Sequence, residues 1–94
     1  MAITSTQVWS MAIAYQTALK DIPGKEKLKQ ASKQIGENFN KVLKLAIEVK
    51  PDIDAQLWPA PVGFSMANTT FCNYADIEVF INQILAHFHE EQGF

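Results

Sequence analysis

The chain has 94 residues, room for one domain with a modest core, and its 48% hydrophobic content is that of a folded globular chain rather than a disordered one. Its formal net charge is −2 and all eight basic residues are lysine. Without arginine, sequence-specific nucleic-acid readout and arginine-clamped phosphoryl transfer both lack their usual residue, so neither is expected.

The first segment with a clear local signal is Thr4-x-x-Gln7, the capping-box pattern, with Ile3 and Val8 at the positions of a hydrophobic staple. A helix is predicted over 5–20, because that stretch has no proline or glycine and carries the stripe Val8, Ala12, Tyr15, Leu19. Trp9 and Ile13 form a second stripe, so this helix is apolar on more sides than one neighbour covers. That surplus motivates the expectation of a homodimer with Trp9 or Ile13 near the contact.

Asp21, Ile22, Pro23 and Gly24 form a stop and turn. The spacing of Leu28, Ala31, Ile35, Val42, Leu45 and Val49 then predicts one long helix over 25–49, ended by Pro51. Leu43 and Ile47 make a second short stripe, so the C-terminal half is expected to touch two neighbours. Glu37 and Lys41 stand at a favourable i,i+4 spacing, and Lys25, Lys29 and Lys33 share one solvated stripe.

Residues 51–73 read as a long loop packed over the helices. Pro51, Pro59 and Pro61 discourage regular structure, and no charge occurs from Ala55 to Ala75. One helical turn is expected near 54–58, and the 64–71 stretch reads as extended around a turn at Ala67 and Asn68. Trp58, Phe64, Met66 and Phe71 are the candidates here for contact with a partner or ligand. The last helix is predicted to start at an Asn73 cap, with Ile77, Phe80, Ile81, Ile84, Leu85 and Phe88 as its apolar face.

Charge is segregated along the chain. Residues 1–19 carry none, residues 20–50 hold all eight lysines against four acids, and residues 51–94 carry six acids and no base. Intramolecular complementation of a basic and an acidic helix is the reading adopted; a basic face for an acidic partner is the sharper one.

No motif points to catalysis, a cofactor or a metal. His87 and Glu91 share a helix face, but His87 and His89 do not, and zinc needs three or four ligands. Cys72 is a lone thiol, read as a small buried apolar residue. One cysteine, no uninterrupted apolar run near the ~18 residues of a membrane span, and no basic leader point to a cytoplasmic location away from membranes.

The fold class expected is all-α, a single helical domain over 1–94 with three main helices in a small bundle. The function expected is non-enzymatic protein interaction or regulation through an apolar dimer or partner surface. The alternative is a small-molecule-binding domain, conceivably an enzyme, with a pocket between loop 55–75 and the helices, where Asn68, Asn73 and Tyr74 would converge.

Overall fold

A computed structural model describes residues 3–65 and 69–88. Helix α1 spans Ser5–Lys20 and begins with the complete capping box: Gln7 N–H donates to Thr4 Oγ1 (3.2 Å) and Thr4 N–H to Gln7 Oε1 (2.9 Å). Caps of this kind are worth about 1 kcal/mol. Val8, Ala12 and Leu19 are buried, while Trp9, Ile13 and Tyr15 pack half-buried against the core.

The predicted long helix starts later than its periodicity implies. Gly24–Glu26 is a single 3-10 turn, Gln30–Ser32 is strand β1, and helix α2 spans Lys33–Val49. Ala31 is buried as expected but on a strand, and Leu28 is 76% exposed instead of lying on the core stripe. The reason is non-local. Strand β2, Thr69–Asn73, pairs antiparallel with β1 (Gln30 with Asn73, Ser32 with Thr69), and the carbonyls of Lys27 and Lys29 accept from Ala75 and Tyr74 N–H. Pairing across forty residues overrides the local pattern. Helix α2 is then capped by Ser32, whose Oγ accepts from Ile35 N–H (3.3 Å).

The fold is therefore three helices and a small two-stranded antiparallel sheet, mostly helical but not purely α. On its other side β2 meets residues 63–65. Phe64 bridges Thr70, Ser65 N–H donates to Thr69 O (2.8 Å), and Phe71 N–H to Gly63 O (3.1 Å). The extended reading of 64–71 is borne out at both ends; the turn expected at Ala67 and Asn68 falls outside the described residues.

Helix α3 spans Tyr74–Ala86, capped by Asn73 Oδ1 accepting from Asp76 N–H (2.8 Å). Its expected apolar face is realised: Ile77, Ile81, Ile84, Leu85 and Phe88 are buried and Phe80 is half-buried. With Phe39, Val42 and Ala46 of α2 they form one continuous hydrophobic cluster. The basic and acidic segments meet where Lys27 Nζ lies 2.8 Å from Glu78 Oε2. Glu37 pairs with Lys33 (3.9 Å), one turn back, rather than forward with Lys41. No helix among the described residues is long and apolar enough to cross a membrane.

Candidate functional site

One stripe of α2 organises the connection between α2 and α3. Gly36, Asn40, Leu43 and Ile47 recur at i, i+4, i+7 and i+11, so they lie along one side of the helix. The connection descends that stripe. At the top, a Cβ on Gly36 would lie 2.4 Å from Thr70 Cγ2 and 2.8 Å from Phe64 Cε1, so only glycine lets sheet and helix approach this closely. One turn on, Val62 N–H donates to Asn40 Oδ1 (2.7 Å) and Asn40 Nδ2 donates to Val62 O (3.0 Å). A primary amide here does what a neighbouring strand would do, and Val62 is buried beside it.

That clamp fixes the adjacent Pro61 as a wall. Between Pro61 and the α2 residues Asn40, Leu43, Lys44, Ile47 and Glu48 lies an open groove of about 420 Å³. Its surface is almost wholly apolar, and Ile47 is 41% exposed. Lys44 and Glu48 stand on the lining one turn apart, and neither has an ion-pair partner among the described residues. Of the second stripe, Leu43 is thus buried and Ile47 is left open.

A second hollow, about 380 Å³, lies between α1 and α2 and is lined by Met11, Ala14, Tyr15, Asn38, Lys41 and Val42. The Tyr15 hydroxyl is already engaged there, donating to Ile35 O (2.7 Å). Burial, and secondarily the neighbouring Tyr74, push its phenol well above the ordinary value.

The residues singled out from sequence are not brought together. Trp9 and Ile13 are half-buried on α1. Trp58 is only 8% exposed, its ring 4.5 Å from that of His87, whose Nε2 donates to Leu57 O (2.9 Å). Trp58 therefore anchors the connection as a plug in the core. Phe64 lies over Gly36, while Phe71 is 68% exposed and its ring covers Gly63. Met66 lies outside the described residues, as do Asn68, His89 and Glu91.

The polar groups expected to converge on a ligand are engaged in building the fold. Asn73 caps α3, and Tyr74 Oη accepts from Ser32 N–H (3.3 Å). Cys72 is partly buried, and burial, with Asp76 second, raises its thiol above the ordinary range, which opposes a nucleophilic role.

Gly36 and Asn40 had no place in the reading of the sequence, and Pro61 figured there only as a residue that discourages regular structure. The available signal was a glycine and an amide inside a helix, both on the stripe that ends in Leu43 and Ile47. Comparison of the chain with protein-family models, with curated proteins and with solved structures finds no match.

Proposed function

We propose that this chain is a non-enzymatic interaction protein that works through the groove between α2 and Pro61. The observation that carries the reading is Ile47: a large apolar side chain left 41% exposed, on a helix side where Gly36 and Leu43 are buried and Asn40 is bound to Val62. An exposed apolar residue in a walled groove with flanking charges has the make-up of a contact surface, apolar at the centre and polar at the rim. Reaction chemistry would need convergent polar groups. The one amide in the groove, Asn40, is held on both of its functions by Val62.

A small-molecule site is the competing reading, and one experiment separates the two. Methyl-labelled protein is titrated with a cell extract divided by dialysis into macromolecular and small-molecule fractions. Shifts or broadening of the Leu43 and Ile47 methyls with the macromolecular fraction support the interaction reading. The same changes with the dialysable fraction alone overturn it in favour of a ligand pocket, and silence with both fractions, together with no change in these methyls as the protein itself is concentrated, overturns it outright.

A further inference from the structure

Resting on that reading, we infer that the occupant of the groove is a second copy of this chain, docked through α2 against α2 in antiparallel orientation about a two-fold axis. The order of charges along the rim selects this arrangement. Lys44 and Glu48 are four residues apart, so they project from the same flank of α2, about 40° apart around the helix. When two identical helices meet antiparallel about a two-fold axis, each flank faces the same flank of the partner with its order reversed. For a contact centred near position 46, Lys44 of each chain then faces Glu48 of the other, on both sides of the axis. Neither has an ion-pair partner among the described residues, so both charges are available. A parallel two-fold pair would turn this flank toward the opposite flank of the partner, so the reciprocal Lys44–Glu48 pairing would not form.

The apolar part fits the same geometry. Ile47 lies next to the centre of the contact, exposed, beside a groove walled by Leu43 and Pro61. A knob adjoining a hollow on one surface is self-complementary under a two-fold operation: Ile47 of each copy enters the groove of the other. The contact is small, so the dimer is expected to be weak and concentration-dependent, with a Kd on the order of 100 µM.

The test is sedimentation equilibrium on the full chain, across a concentration series reaching about 1 mM so that it spans that Kd. Alongside it are Ile47→Asp, Lys44→Glu, Glu48→Lys and the doubly reversed Lys44→Glu/Glu48→Lys. All three positions are exposed, and circular dichroism of each variant checks that its helices are kept. The expected result is a monomer–dimer equilibrium for the wild type, abolished by Ile47→Asp, weakened at least tenfold by either single reversal, and restored by the double reversal. A monomer at every concentration overturns the inference. So does a dimer indifferent to the single reversals, or one that the double reversal fails to restore, because its contact lies elsewhere. Failure here leaves the interaction reading standing if the macromolecular fraction still perturbs the Ile47 methyl; silence in both experiments removes both.

Discussion

Asn40 on α2 and Val62 in the connection hold each other by two hydrogen bonds, 2.7 Å from Val62 N–H to Asn40 Oδ1 and 3.0 Å from Asn40 Nδ2 to Val62 O. This pair decides where Pro61 stands, and so whether the groove has a second wall. Asn40→Asp keeps the acceptor but turns the donor into an oxygen facing a carbonyl. It should cost about 1–3 kcal/mol in urea unfolding, the range for an unmade buried hydrogen bond. Because the folded state disfavours the charged carboxylate, its pKa there lies above the ordinary value of about 4; the deficit should shrink as pH falls through that raised value and be least below about 4, where both states are protonated and the acid has a proton to donate. A variant as stable as wild type at neutral pH would show that the clamp is dispensable.

Gly36→Ala should destabilise the protein although alanine is the better helix former by about 1 kcal/mol. The added Cβ would stand 2.4 Å from Thr70 Cγ2, and overpacking of this kind costs typically 1–3 kcal/mol or more. Thr70→Ser removes that methyl, so Gly36→Ala should cost less in a Thr70→Ser background, a coupling measurable by a double-mutant cycle. A rise in melting temperature for Gly36→Ala alone would contradict the packing described.

Trp58→Ala should cost about 3–5 kcal/mol, as for other large aromatic truncations in a core. Trp58→Phe should cost clearly less, because the indole N–H has no protein acceptor among the described residues to lose. Equilibrium unfolding of the two variants checks the ranking. Equal losses would point to a hydrogen bond that this arrangement lacks.

Tyr15 predicts an alkaline sign. Its phenol is held above the ordinary value of about 10 by burial and then by Tyr74, so the folded state keeps the proton where the unfolded state releases it. The contribution is fully present below about pH 10 and is lost as pH rises beyond it, since the unfolded chain then binds fewer protons than the native one. Tyr15→Phe should lose stability at neutral pH with the bond to Ile35 O, yet fall less steeply than wild type above pH 10 or so. Parallel curves through the alkaline range would contradict this account of Tyr15.

Local signals were legible and non-local ones were not. The Thr4–Gln7 box, the Asn73 cap and the short turn at Ala55–Leu57, capped by Asp54 accepting from Gln56 N–H, each depend on residues within one turn. The α3 face was legible for the same reason. Gln30–Ser32 became a strand because its partner sits forty residues away at Thr69–Asn73, and nothing in its own spacing records that. Leu28 followed, drawn onto a helix stripe by periodicity and left exposed by the pairing. In the groove, Leu43 and Ile47 were visible as a stripe. Its continuation through Asn40 and Gly36 was hidden, because a polar residue and a glycine break a hydrophobic pattern while serving the same contact.

The most direct test of the account is whether Ile47 becomes covered when the protein is concentrated. A soluble paramagnetic agent attenuates methyl signals in proportion to their exposure, and Val79 on α3, 54% exposed, serves as an internal reference. Strong attenuation of both Ile47 and Val79 is expected in dilute solution, with selective protection of Ile47 as concentration rises and Val79 unchanged. Equal attenuation of the two at every concentration would contradict it.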